Sequence, residues 1–431
     1  MDRVNGSPVK VGLLGCGNVG AALVELIDEQ GDAIAARTGL RLEVARVAVR
    51  SIAKERSVEL TPGILTTDAL SIVTDPAIDV VVEVIGGIEP ARTLIRAALD
   101  AGKPVVTGNK ELLANVGAEL HDAAAAARVD LLFEAAVAGG IPLIRPLRES
   151  LAGERLRRIM GIVNGTTNFI LTRMTERGSS FQDALAEAQT LGFAERDPTA
   201  DVEGFDASAK AAIIASVAFG VRVVAGDVYR EGISSITAAD IAFAGRLGYA
   251  VKLLAIVEAL DDEVAVRVHP AMVPIDHPLA SVRESFNAVF IEGDAVGELM
   301  LYGRGAGGRP SASAVLGDLI DAASNLGRGA RPAPAEVAKA RIRPIDELSS
   351  QYYLNLEVAD RPGVLAAVAG VFGDHDVSIK TAEQQGLGDE ARLIFITHTA
   401  RERDMQATLH GLHALDVVDR VGTLLRVIGA D

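Results

Sequence analysis

Val9-Lys10-Val11-Gly12-Leu13-Leu14 reads as a short buried strand, followed at once by Gly15-Cys16-Gly17-Asn18-Val19-Gly20 and a helical run from Ala21 to Glu29. Glycines in that register belong to the strand–turn–helix of a βαβ unit. Gly15 permits the tight turn, Gly17 leaves the backbone open to a pyrophosphate, and Gly20 lets helix and strand pack closely, with the helix N-terminus facing the phosphates. Dinucleotide contacts are therefore expected along Gly15, Cys16, Gly17, Asn18, Val19 and Gly20. Cys16 is read as a small filler of this loop rather than a redox switch.

The second strand, Leu42 to Val49, sets the choice of dinucleotide. A cofactor without a 2′-phosphate usually meets an Asp or Glu at this strand's end. Here Arg50 stands there, with Lys54 and Arg56 close behind. Guanidinium and ammonium groups suit a 2′-phosphate, so NADP(H) is expected, with NAD(H) as the alternative. Asp79 to Gly87 and Pro104 to Thr107 are further strands, separated by a helix from Glu89 to Ala101. Strand alternating with helix implies a mostly parallel, doubly wound sheet. Ligands bind at the C-terminal edge of such sheets, which places Gly86, Thr107 and Lys110 near the nicotinamide end.

Composition narrows the class. A chain of 431 residues suggests two or three domains. Its 58 acidic against 42 basic residues, a net charge of -16, argue against nucleic-acid and membrane partners. One cysteine forms no internal disulfide and fits a reducing cytosol, so a cytoplasmic protein is expected. No run of about 20 uncharged apolar residues is present.

In the middle third, Leu131 to Pro142 looks like a strand entering an irregular Gly/Pro turn. Such a turn turns carbonyls outward, and Glu134 adds a carboxylate; oxygen ligands of this kind suit a hard cation, although a plain domain-crossing turn is the simpler reading. Asn164-Gly165-Thr166-Thr167-Asn168 is a polar turn leading into a helix and able to cap it. From Ala188 to Lys210 a helix ends at Leu191-Gly192 and an acidic loop follows, with Glu195, Asp197, Asp201 and Glu203. A new helix begins near Gly204. Asp206 and Lys210 lie four apart and share one helical face. They read either as a surface ion pair or as an ammonium held by a carboxylate for proton transfer. Acids so clustered suit the ammonium group of an amino acid.

These segments resemble the homoserine dehydrogenase family. The match lies in Gly192, Asp197-Pro198, Asp201, Gly204, Asp206 and Lys210, in Gly161 to Asn168, in Thr107 to Lys110, in Glu134 to Ile141 and in Gly303 to Gly307. The resemblance implies NAD(P)-dependent interconversion of L-homoserine and L-aspartate 4-semialdehyde, on the route to threonine, isoleucine and methionine. It implies Lys210 and Lys110 as catalytic lysines, with Asp206 orienting Lys210. Glu195, Asp201, Asn164 and Thr166 are implied to hold the substrate together with Lys110. Glu134 with the backbones of Val137, Gly139 and Ile141 is implied to form a monovalent-cation site, usually for Na+, and Gly307 a late cofactor contact. Gly108 departs from the family's more common alanine. Which lysine donates the proton stays open, with Lys210 favoured.

From Arg328 to Pro344 the chain is rich in Pro, Ala and Arg and reads as a linker. Beyond it the order βαββαβ implies a ferredoxin-like unit. Its strand-to-helix turn, Asp360-Arg361-Pro362-Gly363-Val364-Leu365, resembles the effector loop of ACT domains. That resemblance implies amino-acid feedback, with L-threonine the expected effector, and a homodimer or homotetramer, because such pockets form between paired domains. The expected fold is α/β throughout. A Rossmann-type domain spans 1–145, and an α+β catalytic and dimerisation domain spans 146–327, its end packing back on the nucleotide domain. A linker at 328–350 leads to an ACT domain at 351–431.

Two other readings compete with this one. Aspartate-semialdehyde dehydrogenase needs a catalytic cysteine, and the single cysteine lies in the phosphate loop. A non-catalytic amino-acid sensor would have no use for Lys110, Glu195, Asp206 and Lys210.

Overall fold

The computed structural model describes residues 7–329, 338–386 and 390–429. In chain order its first elements are β1 (Val9–Leu14), α1 (Asn18–Thr38), β2 (Leu42–Ala48), β3 (Leu65–Thr66), α2 (Ala69–Val73), β4 (Val80–Glu83), α3 (Ala91–Asp100), β5 (Val105–Thr107), α4 (Lys110–Ala127) and β6 (Leu131–Leu132). There follow β7 (Leu156–Ile162), α5 (Gly165–Arg177), α6 (Phe181–Thr190), α7 (Thr199–Val202), α8 (Phe205–Phe219), β8 (Val221–Arg222), β9 (Tyr229–Arg230), α9 (Ala238–Arg246), β10 (Tyr249–Leu260) and β11 (Glu263–Pro274). Then come β12 (Phe286–Gly293), β13 (Gly297–Arg304), α10 (Gly308–Arg328) and β14 (Ala338–Lys339). Last are β15 (Ser349–Ala359), α11 (Val364–Asp374), β16 (Ile379–Gly386), β17 (Glu390–Thr397), β18 (Ala400–Arg401), α12 (Glu402–His413) and β19 (Val418–Val427).

The chain divides into two compact units. The first comprises Met1–Leu156, Ala209–Asp227 and Gly293–Ala340. Its sheet runs β3-β2-β1-β4-β5-β6, every pairing parallel. β4 and β5 are buried along their whole length, as strands covered on both faces must be. The order reverses between β1 and β4, the switch point of a doubly wound sheet. The core extends far along the chain: Ala312, Val315, Leu316, Leu319 and Ala322 of α10 pack with Leu23, Ile27 and Ile34 of α1. β14 pairs in parallel with β8 within this unit, so the expected linker holds ordered structure at 338–339. Its residues 330–337 lie outside the described ones.

The second unit comprises Arg157–Ser208, Val228–Glu292 and Arg341–Asp431. Here one sheet runs β12-β7-β10-β11-β19-β15-β17-β16. β10 and β11 form a twelve-residue antiparallel hairpin, from Tyr249 opposite Pro274 to Leu260 opposite Glu263. The tail has the expected βαββαβ order, and its strands sit as β19-β15-β17-β16, the ferredoxin-like arrangement. Tyr352, Leu354, Leu356, Phe372, Phe395, Met405 and Leu412 form its core. This tail is not a loosely tethered module. β19 pairs in parallel with β11, Ala271 opposite Arg426 and Met272 opposite Val427. Compact units thus cut across the sequential boundaries expected from the sequence. Residues 308–328 belong with the nucleotide-type sheet, and the tail shares a unit with the middle sheet.

Candidate active site

The glycine loop opens straight from β1. Gly15 takes a left-handed φ of 99°, and a Cβ there would lie 2.8 Å from the Val84 carbonyl oxygen. A Cβ on Gly20 would lie 2.2 Å from the Gly15 carbonyl oxygen, so this glycine lets the first turn of α1 sit on the loop. Nothing lies within 4 Å of a Cβ on Gly17, which leaves that face open to a phosphate, while Asn18 and Val19 begin α1. Gly307 caps α10 with φ 129°, and a Cβ on Gly308 would lie 3.0 Å from the Asn18 carbonyl oxygen. Two helix N-termini therefore meet at the phosphate loop, and their dipoles reinforce one another toward an anion.

Cys16 is half-buried here, and burial pushes its thiol pKa upward, against the Arg56 guanidinium beside it. A thiol kept protonated behaves as filler. Arg56 is committed to its own loop, donating to the carbonyls of Ser51 (2.6 Å), Lys54 (2.6 Å) and Ile52 (3.3 Å). Arg50 and Lys54 stay exposed. Of the basic residues considered for a 2′-phosphate, these two keep their charges available.

At the other end of the sheet edge, Thr107 and Glu83 hold one another. Thr107 was expected to touch cofactor, but its side chain is fully buried and its hydroxyl donates to Glu83 Oε2 at 2.6 Å. Only its backbone remains for a ligand. Glu83 Oε1 accepts from Ile85 N (2.7 Å) and Gly86 N (3.2 Å), which fixes the left-handed Gly86-Gly87 turn. Sequence reading missed Glu83, although a lone acid in the apolar run Val80 to Val84 was a visible signal. Asn109 was missed as well. Its side chain caps α4, accepting from Leu112 N, and donates to the Gly87 carbonyl at 2.7 Å. Lys110, exposed, is the first residue of that capped helix.

The cation loop needs a correction. Both carboxylate oxygens of Glu134 are occupied by backbone donors, Leu143 N (2.5 Å), Ile144 N (2.7 Å) and Arg145 N (2.8 Å). A buried carboxylate so saturated is not available as a metal ligand. Its backbone is held in turn, Glu134 N donating to Asp318 Oδ2 at 2.7 Å. Ala138 and Gly139 both adopt left-handed backbone, and a Cβ on Gly139 would lie 2.3 Å from the Gly305 carbonyl oxygen. The carbonyls of Val137, Gly139 and Ile141 accept none of the hydrogen bonds found among the described residues. Among those residues no cluster of three or more His, Cys, Asp and Glu could hold a metal.

The acidic segment comes together in the second unit. Asn164 caps α5, its Oδ1 accepting from Thr167 N at 2.8 Å. Its Nδ2 donates to Asp201 Oδ1 (2.7 Å) and to Asp206 Oδ2 (2.9 Å). One amide thus holds two carboxylates converging from α7 and α8. Asp206 and Lys210, one turn apart on α8, are both buried. Burial of both argues against a solvated surface position for either. Thr166 is used locally, its hydroxyl donating to the Phe193 carbonyl at 2.7 Å. Glu195 remains exposed, with its carbonyl accepting from Gln189. Asp197 caps the next turn, and hydrogen bonds from Thr199 hold its pKa below the usual range.

In the tail, Asp360 to Leu365 form the expected turn into α11. Gly363 caps the helix with φ 92°, Arg361 N donates to the Ala359 carbonyl, and Asp360 accepts from Gln384 at 3.3 Å.

Comparison with known proteins matches this architecture segment by segment. The model of the homoserine dehydrogenase NAD-binding domain matches residues 15–134, that of homoserine dehydrogenase residues 142–320, and that of the ACT domain residues 352–410. A homoserine dehydrogenase of Corynebacterium glutamicum is 51% identical over 428 residues, covering 98% of this chain and 96% of its own. That of Mycobacterium bovis is 48% identical over 434 residues, covering 98% of each. The crystal structure of a homoserine dehydrogenase from Thiobacillus denitrificans superposes with a TM-score of 0.93 at 41% identity, covering 98% of each chain. A hyperthermophilic archaeal homoserine dehydrogenase in complex with NADPH superposes with a TM-score of 0.63 at 32% identity, covering 74% of this chain and 98% of its own.

Proposed function

The chain belongs to the homoserine dehydrogenase family, NAD(P)-dependent oxidoreductases that interconvert L-homoserine and L-aspartate 4-semialdehyde, and on that premise we propose how its own residues carry the reaction. The observation that carries the reading is the Asn164 amide holding Asp201 and Asp206 together beside α8, which bears Lys210. Asp201, with Glu195 from the exposed loop, takes the substrate ammonium. Asp206 orients Lys210. In the reductive direction the aldehyde oxygen gains negative charge, and the Lys210 ammonium both stabilises that charge and delivers its proton to the oxygen. In the oxidative direction the neutral amine takes the hydroxyl proton back. Lys110, at the capped start of α4, is the second ammonium serving the substrate. Nicotinamide, when bound, supplies or accepts the hydride.

NADP(H) is the preferred cofactor in this reading, supported by Arg50 and Lys54 standing exposed after β2 and by the absence of an acid at that strand's end. The NADPH complex of the archaeal relative points the same way. Gly15 to Gly20 and Gly307 seat the pyrophosphate, and Gly86 the nicotinamide side. A monovalent cation, Na+ being the expected one, sits on the carbonyls of Val137, Gly139 and Ile141, with Glu134 contributing its main-chain oxygen instead of its carboxylate. The ACT turn Asp360 to Leu365 takes L-threonine as feedback effector, in a cytoplasmic homodimer or homotetramer. Among the described residues no helix is long and apolar enough to cross a membrane.

The test is NADP+ reduction with L-homoserine by the wild type and by Lys210→Ala. A fall in kcat of about 10²–10⁴ with NADPH affinity retained is expected, since that is the usual worth of general acid–base catalysis. A kcat within tenfold of the wild type would remove the role from Lys210.

A further inference from the structure

A cavity of about 760 Å³ lies within the second unit, between the tail and the acidic segment. One wall is tail: Gln406 and Leu409 of α12 and Arg420 to Leu424 of β19. The opposite wall is Glu203, Phe205, Arg230 to Gly232, Ser234 and Ser235. Its volume is that of a small-molecule site, and its lining mixes apolar side chains with a few convergent charges. Arg230 is the informative one. Its guanidinium carbon lies over the Phe205 ring, 3.6 Å from the centroid, and no carboxylate pairs with it among the described residues. A guanidinium held over an aromatic ring by a cation–π contact and left without an ion pair is suited to a carboxylate. Across the same wall Glu203 uses one oxygen to accept from Ser234 Oγ at 2.8 Å. Glu231 likewise uses one oxygen, Oε1, to accept from Tyr229 Oη (2.5 Å) and to pair with Arg426 of β19 (2.8 Å). Among the described residues, one cation without a carboxylate partner and two partly satisfied anions, Glu203 and Glu231, therefore line a common space, a pattern suited to a zwitterion.

The same wall bears on the substrate acids. A Cβ on Gly232 would lie 2.5 Å from the Val202 carbonyl oxygen and 2.7 Å from Glu203 Cα. Ile233 N donates to that Val202 carbonyl at 2.8 Å, and the left-handed Gly204 lies against Arg230 and Glu231. Backbone 230–233 is thus seated on 202–204 with no slack, and Asp201 and Asp206 flank that stretch. Closely packed backbone moves as a unit, so displacement of Arg230 or Glu203 reaches both acids.

We propose that this cavity is a regulatory binding site for a small neutral α-amino acid, separate from the Asp360–Leu365 turn, with the ligand carboxylate on Arg230 and its ammonium on Glu203. Its regulatory effect rests on the reading of Asp201 and Asp206 as substrate acids; its binding does not.

Calorimetric titration of the full chain, without cofactor or homoserine, tests the site. The probes are L-threonine and L-valine, with N-acetyl-L-threonine as the probe lacking an ammonium. At least one free amino acid is expected to bind the wild type. Affinity should fall at least tenfold in Arg230→Ala and in Gln406→Trp, an exposed helix position whose enlargement fills the cavity, and hold within twofold in Asp360→Ala. N-acetyl-L-threonine should not compete. Absence of binding by both amino acids, wild-type affinity in Arg230→Ala and Gln406→Trp, or loss confined to Asp360→Ala would each overturn the proposal. The saturating ligand should also shift the KM for L-homoserine in the wild type and not in Arg230→Ala; binding with unchanged KM would overturn the regulatory role.

Discussion

The Thr107 hydroxyl donates to the Glu83 carboxylate at 2.6 Å, and neither side chain has any solvent exposure. That bond joins the ends of β4 and β5, and the same carboxylate holds Ile85 N and Gly86 N. Thr107→Val keeps the shape but leaves one buried carboxylate oxygen short of a donor. It should cost about 1–3 kcal/mol in denaturant unfolding and weaken NADPH binding through the Gly86 turn. Glu83→Gln can keep its carbonyl oxygen on the two backbone N–H groups and donate its amide to the Thr107 oxygen, so it should do less harm than the valine. Unfolding midpoints and cofactor dissociation constants, measured together, check both.

Asn164 has three polar tasks at once: it caps α5 and donates to two carboxylates. Asn164→Ala should lower stability by about 1 kcal/mol through the cap, a modest change. Release of Asp201 and Asp206 should lower kcat/KM for L-homoserine about 100-fold, the usual result of misplacing a reacting group by about an ångström. Asn164→Asp keeps the cap and brings a third negative charge against the pair, so it should lower activity with less loss of stability. Steady-state kinetics beside thermal melting separates the two effects.

How much of this was legible depended on whether a signal was local. The glycine loop, the alternation of strand and helix, and the βαββαβ tail are written in short-range pattern. The strand-to-helix turn read at 360–365 opens into the helix Val364–Asp374. The hairpin of β10 and β11 carried no such pattern. Its strands are buried on most residues, Lys252, Arg267 and His269 included, so polar positions that read as solvent-facing lie inside. Nor did Arg426 announce itself. A charged residue in a late strand reads as solvated, yet it is 1% exposed because Glu402 and Glu231 both pair with it. The acids of 195–206 were legible as a cluster, but not their division of labour. Asp197 caps a turn, Glu195 faces solvent, and only Asp201 and Asp206 share a donor.

Cofactor choice offers a sharper test. Arg50→Asp places a carboxylate at the end of β2, where it repels a 2′-phosphate and suits a free ribose hydroxyl. The KM for NADPH should rise at least tenfold while that for NADH stays level or falls. Equal changes for both cofactors would rule out Arg50 as the discriminating contact.

Lys252 provides a pH dependence unrelated to chemistry at the substrate. It is buried, with Nζ donating to the Val282 carbonyl and to Asn168 Oδ1. Burial pushes its pKa down to about 8, from an ordinary 10.5. A depressed lysine pKa means that the folded state bears a cost for the charged form. That cost is absent above pH 10.5, develops as pH falls toward 8, and is fully present below it. Lys252→Met carries no such charge. Its stability relative to the wild type should therefore be most favourable near pH 7 and worsen as pH rises to 10, as followed by urea unfolding at each pH.

The packing of α10 on α1 also sets a clock. Leu23 and Ile27 lie in one core with Val315 and Leu319, some two-thirds of the chain later. A ribosome adding about 5–20 residues per second needs roughly 15–50 s to pass from one helix to the other. Through that interval the apolar face of α1 is made but its partner is not. A nascent chain of this kind has to keep that face shielded, by a chaperone or by a provisional contact, and a pause in translation before α10 lengthens the exposure.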